Sequence, residues 1–250
     1  EKGKRLEYRD TEKTLSDRKK LRKINSWLDS ADVAIMSQTG QPLTAVNERL
    51  LKRVFNNGQF DQGGRLFGGF WQNMKKEARL DQILIDGMDI VELDYSQAAV
   101  MIMYGLVGVN PSFEDAYLLP GLEHNREGVK KVLNAMTQSP KPLQRFPAGT
   151  RTMFDGNRVL TITQLTDLIM EHHRPIAHLF YANKGLYLMY LESEIMLEVL
   201  TRLVDMKVTA LPIHDAVLVA EKHEGLAREV MVNSFQELTG VKAKVTSEGL

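Results

Sequence analysis

Two aspartates in this chain stand where short apolar runs end. Asp94 closes the run over residues 90–93, and a helical pattern follows it. Asp215 follows His214 between two apolar arms, which predicts a β-hairpin with the acid at its turn. Burying a carboxylate costs free energy unless it is paired or binds a metal. Two such acids brought together would hold divalent cations, the arrangement needed for two-metal phosphoryl or nucleotidyl transfer.

Basic residues supply the complementary chemistry. Arg126 and Lys130 stand four apart in a stretch that predicts a helix over residues 127–137, so they share one face. A solvated basic face is the commoner reason for such a pair. In a phosphate site the arginine would bind through its planar fork and the lysine as a point charge. Arg65 is flanked by glycines that allow a close backbone approach.

Four short motifs resemble, in order along the chain, the motifs of the family A DNA polymerases, the DNA polymerase I group. They are Gly64-Arg65-Leu66 with Gln72-Asn73, then Asp94-Tyr95-Ser96-Gln97, then Arg126 with Lys130, and last His214-Asp215. The second and fourth are similar to motifs A and C, and the third to the R-x-x-x-K of motif B. Any one of these strings arises often by chance, but four in order are much more specific. The resemblance covers residues 63–238.

The resemblance implies a mixed α/β (α+β) fold. The expected architecture is a right-hand polymerase palm with an antiparallel sheet, helical fingers and a reduced thumb. The palm would occupy residues 61–250, with the fingers inserted at about residues 107–190. Residues 1–60 would form a helical N-terminal region, a thumb-like remnant.

The resemblance also implies roles for individual residues. Asp94 and Asp215 would be the catalytic residues and would bind two Mg²⁺ (or Mn²⁺) ions. The residues expected to bind the nucleotide are Tyr95, Arg126, Lys130 and Asn134. The residues expected to contact nucleic acid are Arg65, Gln72, Asn73 and His214, the last also supporting the metal aspartate.

The chain departs from the family pattern in motifs A, B and C. Ala99 stands where the family has a glutamate that excludes the ribose 2′-hydroxyl. Asn134 and Gln138 replace two aromatic residues after motif B, and Ala216 replaces the glutamate that ends motif C. The open sugar-gate position at Ala99 predicts that dNTPs and NTPs are both accepted, as in a primase-like enzyme.

The expected function is therefore template-directed nucleotidyl transfer by a minimal family A-like DNA polymerase. Its expected partners are a DNA primer–template or single-stranded template, a dNTP or NTP, and a processivity or helicase partner. Two other classes stay open. One is a catalytically reduced nucleic-acid-binding module of a replication or repair assembly. The other is a metal-dependent nuclease, which would need further carboxylates near the acid pair, with Glu92 and Glu221 as the candidates.

Composition limits the class of protein more than its activity. The 250 residues carry 32 basic and 32 acidic side chains, a neutral balance that weighs against tight non-specific binding to nucleic acid. The chain contains no cysteine, which excludes thiolate chemistry and disulfides and fits a reducing compartment. No run approaches the ~20 apolar residues of a membrane span. We expect a cytoplasmic location, at the nucleoid or in a replication complex.

Periodicity predicts the elements between these motifs. Helices are expected over residues 14–28, 46–55, 96–106, 163–173, 175–183, 186–206 and 226–238. Residues 56–64 are expected to form a loop, and residues 83–93 a hairpin that leads into Asp94. His172 and His173 are expected to be solvated or to cap a helix. Glu192 and Glu194 would face a nucleic-acid channel or, equally, an exposed acidic surface.

Overall fold

A computed structural model describes residues 7–37, 48–157 and 160–249. It is a mixed fold of helices and antiparallel sheets. The α-helices are α1 (Glu12–Ser30), α2 (Lys76–Gln82), α3 (Ala98–Leu106), α4 (Arg126–Gln138), α5 (Ile162–His172), α6 (Gly185–Asp205) and α7 (Glu224–Thr239). The strands are β1 (Val33–Ile35), β2 (Lys52–Asn56), β3 (Gln59–Phe67), β4 (Ile83–Ile85), β5 (Ile90–Tyr95), β6 (Ala210–Ile213), β7 (Ala216–Ala220) and β8 (Val245–Glu248).

The sheet that carries both aspartates has four strands in the order β6-β7-β5-β8. Every neighbouring pair in it is antiparallel. The predicted hairpin around His214-Asp215 is confirmed, with β6 and β7 as its arms and His214 at a φ of 54°. Strand β5 lies antiparallel to β7, with Asp94 near the end of β5 and Asp215 just before the start of β7. The two aspartates therefore lie at the same end of the sheet.

The segment after residue 47 differs from the prediction. Residues 46–47 lie outside the described part of the chain, and the rest of the expected helix contains strand β2. The expected loop over residues 56–64 is mostly strand β3, paired with β2. The turn between them is Asn57-Gly58, where both residues have positive φ. Two consecutive positive φ values suit the tight turn of a twisted hairpin, which asparagine and glycine adopt at low cost.

The expected hairpin over residues 83–93 is also corrected. Asp86-Gly87 does form a turn, with a single bridge between Ile85 and Met88. Strand β4, however, pairs with β1, and β5 pairs with β7 and β8. Local spacing allowed a hairpin, but each strand pairs along its length with a partner that is distant in sequence.

Helix α6 forms the centre of the core. It packs against β3, α1, α3 and α7, and the residues of its buried side include Leu188, Ile195, Leu197, Leu200 and Leu203. Burying a side chain of this size contributes roughly 1.5–3 kcal/mol. Because α6 touches elements from both halves of the chain, it fixes the first strands relative to the sheet with the aspartates.

The N-terminal region docks on α6 through a nearly buried arginine. Arg53 of β2 donates to Asp17 of α1 at 2.9 Å and to Ser193 of α6 at 2.7 Å, and its second ion pair is with Glu194 at 2.8 Å. Lys13 also pairs with Glu194 at 2.6 Å. The expectation that Glu194 belongs to an exposed acidic surface is therefore wrong, because its carboxylate neutralises two cations in this junction.

The helices predicted over residues 163–173 and 186–206 are confirmed as α5 and α6. The helix predicted over residues 175–183 is replaced by a shorter 3-10 helix, Arg174–Leu179. His173 is completely buried instead of solvated, although its backbone does end α5. Across the described residues, no helix combines the length and the apolar character needed to cross a membrane.

Candidate active site

Asp94 and Asp215 are held by the backbone register of neighbouring strands. Asp94 of β5 stands opposite Ala216 of β7, the residue next to Asp215. The backbone N–H of Tyr95 donates to the carbonyl oxygen of Asp215 at 3.3 Å. Both aspartates are half-buried and line one cleft. The structure therefore brings together the two acids that the sequence singled out.

The cleft concentrates negative charge. Burial first, then Asp215 and then Glu92, raise the pKa of Asp94 from its ordinary 3.8 to about 7. Lys76 and Lys130 act in the opposite direction without cancelling this effect. A buried carboxylate with another carboxylate beside it lacks the counter-charge that a cation would supply.

The donor set at this point consists of two carboxylates. Within residues 7–37, 48–157 and 160–249, no group of three or more His, Asp or Glu side chains is arranged to hold a metal ion. Two carboxylates still suit Mg²⁺, because this ion keeps several waters and binds through one or two carboxylates together with substrate phosphates. The chemistry of the donor set thus fits magnesium.

The opposite wall of the cleft is basic. Helix α4 places Arg126 and Lys130 on the lining, as their four-residue spacing predicted. Arg126 is engaged by carboxylates, Asp115 at 2.6 Å and Glu127 at 2.6 Å. Both cations also lie over the ring of Tyr117, at 5.3 Å for the Arg126 guanidinium carbon and 6.0 Å for the Lys130 nitrogen.

A second ion pair crosses the cleft between distant parts of the chain. The Arg65 Nε donates to Glu192 Oε1 at 2.7 Å, joining β3 to α6. Burial first, then Asp215, raise the pKa of Glu192 to about 7 against the opposing effect of Arg65. Glu192 is only 7% exposed, so the alternative of an exposed acidic face is wrong for this residue. Its partner lies 127 positions away, and no sequence signal connects the two.

Three other predicted residues also line the cleft: Ala99, Asn134 and Tyr95. Tyr95 differs from the other two because its hydroxyl is bonded inside the core. Ala99 is half-buried at the start of α3, and Asn134 is exposed on α4. Tyr95 belongs to the lining, yet its hydroxyl donates to the Met231 carbonyl at 2.6 Å inside the core. Burial raises the pKa of Tyr95, so the hydroxyl stays protonated and committed to this bond. The side chain of Tyr95 therefore anchors β5 and does not offer its hydroxyl to a nucleotide.

The remaining predicted contacts lie away from the cleft lining. The Gln72 amide donates to the carbonyl oxygens of Leu66 at 2.9 Å and Pro212 at 3.0 Å, and so ties β3 to β6. Asn73 is exposed. The His214 ring packs edge-on against Phe67 at 5.9 Å. Contact of these residues with a primer–template stays a prediction.

The two candidate carboxylates for a nuclease, Glu92 and Glu221, lie outside the cleft lining. Glu92 is buried and paired with Arg79 at 3.0 Å and Lys76 at 3.3 Å. Glu221 follows β7 at the end of the sheet opposite to the aspartates. The backbone N–H of Glu221 donates there to the carbonyl oxygen of Asp89. The two candidate carboxylates are therefore not part of the cleft, but Glu192 and Glu248 line it together with the acid pair, so the nuclease alternative stays open.

The cleft has a volume of about 600 Å³. This lies within the roughly 300–1,000 Å³ range of small-molecule and cofactor sites. Its floor is the end of the four-stranded sheet, including β8, and its walls come from α4, α6 and the start of α3. A volume of this size, with acids on one side and bases on the other, can accommodate a phosphorylated metabolite together with its counter-ions.

Comparison with known proteins gives a likeness among solved structures alone. No protein-family model and no curated protein matches the chain. Among solved structures, the chain is similar to the POL domain of Pol1 from M. smegmatis in complex with DNA primer-template and dNTP. The TM-score is 0.46 at 12% sequence identity, over 94% of this chain and 50% of that one. The chain thus spans half the length of that domain, and the residue roles below rest on the geometry of the cleft.

Proposed function

We propose that this protein is a template-directed nucleotidyltransferase, a minimal polymerase that adds a nucleotide from a dNTP or NTP to the 3′-hydroxyl of a primer. One observation carries the proposal. Asp94 and Asp215 lie at the end of one sheet, in the same cleft as Arg126 and Lys130. This combines hard oxygen ligands for Mg²⁺ with phosphate-binding cations, the combination that phosphoryl transfer requires.

Asp94 and Asp215 would hold the magnesium ions. When bound, Mg²⁺ lowers the pKa of the attacking hydroxyl and neutralises charge on the leaving pyrophosphate. The aspartates contribute rigid placement, since both belong to a paired hairpin and sheet instead of a free loop. The repulsion between the two carboxylates also favours the binding of cations beside them.

Lys130 and Arg126 would bind the triphosphate. Lys130 has no carboxylate within ion-pair distance in the described chain, so its charge is available to a ligand. Arg126 is held by Asp115 and Glu127 at 2.6 Å each, and a phosphate would replace or share these contacts. Arginine suits this exchange because its planar fork binds carboxylate and phosphate in similar ways.

Nucleic acid would enter along the Arg65 side of the cleft. Arg65 is a quarter exposed while it pairs with Glu192, so part of its guanidinium faces the open side. Gln72 supports this side from behind by joining β3 to β6. We assign Arg65 to primer–template contact and Gln72 to the shape of the surface that carries it.

A second candidate function is favoured by the same ion pairs. Arg126, which is placed in the triphosphate clamp, is neutralised by two carboxylates of this chain. A module that had lost catalysis and kept only nucleic-acid binding would tolerate such internal pairing. The replacements Ala99, Asn134, Gln138 and Ala216 point in the same direction.

A labelled primer–template in Mg²⁺ buffer, with dNTPs, with NTPs or without nucleotide, separates these functions. Lengthening of the primer in either nucleotide arm supports the polymerase. Binding of the duplex without lengthening favours the non-catalytic module, and shortening without nucleotide indicates a nuclease. Asp94→Asn should abolish lengthening. Asp61→Asn, which changes an exposed aspartate outside the cleft, should not.

A further inference from the structure

Tyr117 is a cleft residue that the sequence motifs did not indicate. It lies in the connection between α3 and α4, is 4% exposed, and lines the cleft with Asp94 and Asp215. The guanidinium of Arg126 and the ammonium of Lys130 both lie over its ring. A cation over an aromatic face is attracted by the negative face of the ring, and more strongly where water is excluded.

The Tyr117 hydroxyl is unpartnered. The backbone N–H of Tyr117 donates to the Asp115 side chain at 2.8 Å. Within the described chain, the hydroxyl of Tyr117 makes no hydrogen bond of its own. This hydroxyl is not enclosed by the protein, unlike the enclosed hydroxyl of Tyr181, so it is open to the cleft and accessible to a ligand. Burial first, then Asp115, raise the pKa of Tyr117 to about 12, so the hydroxyl is a donor at neutral pH.

The segment before Tyr117 is fixed from two sides. The Gln97 side chain accepts from the backbone N–H of Ala116 at 2.5 Å and donates to the Glu114 carbonyl at 3.2 Å. The ring of His173 donates to the Ala116 carbonyl at 2.8 Å. Gln97 has a φ of 64°, a left-handed conformation that a residue other than glycine adopts at a cost. This anchoring places the Tyr117 ring before any ligand arrives.

We propose that Tyr117 organises the phosphate clamp: its ring positions Arg126 and Lys130, and its hydroxyl donates to the polyphosphate of the bound nucleotide. The inference rests on the proposed function, since it takes a nucleoside triphosphate as the ligand. It adds a neutral donor to the two cations. The ring stabilises both cations, in addition to the carboxylates of Asp115 and Glu127 that pair with Arg126.

The test is calorimetric titration with dATP and Mg²⁺ in the absence of primer, so that no transfer occurs. Tyr117→Phe keeps the ring and removes the hydroxyl, and we expect roughly tenfold weaker binding, as for a lost hydrogen bond to a charged group. Tyr117→Leu removes both, and binding should fall further. Tyr187→Phe, a tyrosine on α6 outside the cleft, is the matched control and should bind as the wild type does.

A double-mutant cycle with Lys130→Ala separates positioning from general damage. In the Tyr117→Phe background the lysine substitution should cost as much as in the wild type, because the ring remains. In the Tyr117→Leu background it should cost several-fold less, because Lys130 is no longer held. Additive effects in both backgrounds would overturn the positioning role. If Tyr117→Leu does not fold, Tyr117→Met, which also removes the ring, takes its place in the cycle, and the Tyr117→Phe titration decides the role of the hydroxyl.

The outcomes also separate this inference from the proposed function. If the wild type binds dATP and Tyr117→Phe binds equally well, the role of the hydroxyl is wrong while the nucleotide site stands. If the wild type binds no dATP with Mg²⁺ present, the proposed function fails and the inference falls with it.

Discussion

Asp94 and Asp215 are joined through the backbone: the N–H of Tyr95, next to Asp94, donates to the carbonyl oxygen of Asp215 at 3.3 Å. The pair is thus set by strand register, which defines positions more closely than a loop does. The arrangement has an energetic consequence as well. Two acids held together in a partly buried cleft destabilise the fold until a cation arrives, the usual relation between function and stability at an active site.

The first prediction concerns this cost. Asp215→Asn removes one charge of the pair, so the protein without metal should become more stable by about 1 kcal/mol, or roughly 2–4 °C in Tm. Mg²⁺ should raise the Tm of the wild type but not that of the variant. Thermal unfolding with and without Mg²⁺ checks both effects. An equal Mg²⁺ response in the two proteins would show that the ion binds elsewhere.

The second prediction uses neighbouring lysines. Lys130→Ala should raise the apparent KM for nucleotide about tenfold or more, because a charge-assisted contact to phosphate is lost. Lys131 is its neighbour on α4, is exposed and lies outside the cleft lining, so Lys131→Ala should leave KM unchanged. Steady-state extension kinetics compare the two variants. Equal KM values would mean that the basic face of α4 is only a solvated surface.

The third prediction concerns the sugar. Ala99 lines the cleft with a methyl group and is half-buried, so it offers no wall against a ribose hydroxyl. A pocket without a clash rejects an added hydroxyl only weakly, roughly a hundredfold or less. Competition between dATP and ATP on one primer–template measures the preference, and Ala99→Glu should shift it towards dATP. A wild-type preference for dATP of roughly a thousandfold or more would show that another residue guards the sugar.

The fourth prediction concerns pH. His173 is fully buried, with Nε2 donating to the Ala116 carbonyl and Nδ1 accepting from the Tyr104 hydroxyl at 3.2 Å. Burial lowers the pKa of His173 from 6.5 to about 4. A lowered histidine pKa means that protons bind the unfolded chain preferentially. The stabilisation is therefore complete above pH 6.5 and is lost as the pH falls towards 4.

Thermodynamic linkage converts this pKa difference into a loss of about 3 kcal/mol at most in the free energy of unfolding. Urea unfolding at pH 7.5 and pH 4.5 measures it, and His173→Gln should flatten the difference because it cannot be protonated. His178→Gln changes an exposed histidine and should retain the wild-type pH dependence. A wild-type stability equal at the two pH values would contradict the assignment of a buried neutral His173.

The strands that carry the acids were predictable because local signals and long-range pairing agree there. The apolar arms around His214-Asp215 predict a hairpin, and the hairpin forms. For β2 and β3 the Asn57-Gly58 turn signal was present, but the polar, glycine-rich stretch that follows favoured a loop. The signal that decides is the pair of residues tolerant of positive φ, not the mean polarity of the segment.

The rest of the cleft depends on contacts that a single sequence does not encode locally. Glu192 has the pattern of an exposed helical acid, and its burial follows from the packing of α6 on β3, which supplies Arg65 as a partner. Tyr117 lies in an irregular connection with no periodicity. Its role depends on α4, whose cations lie over its ring. Both residues become visible only when distant elements are placed side by side.

Template-directed incorporation of a single nucleotide tests the central claim most directly. Two primer–templates that differ only in the first templating base, thymine or adenine, are incubated with dATP alone and Mg²⁺. The wild type should add one nucleotide opposite thymine and almost none opposite adenine, and both Asp94→Asn and Asp215→Asn should add none to either. Equal addition to both templates, or full activity in either aspartate variant, would contradict a template-directed enzyme built on this acid pair.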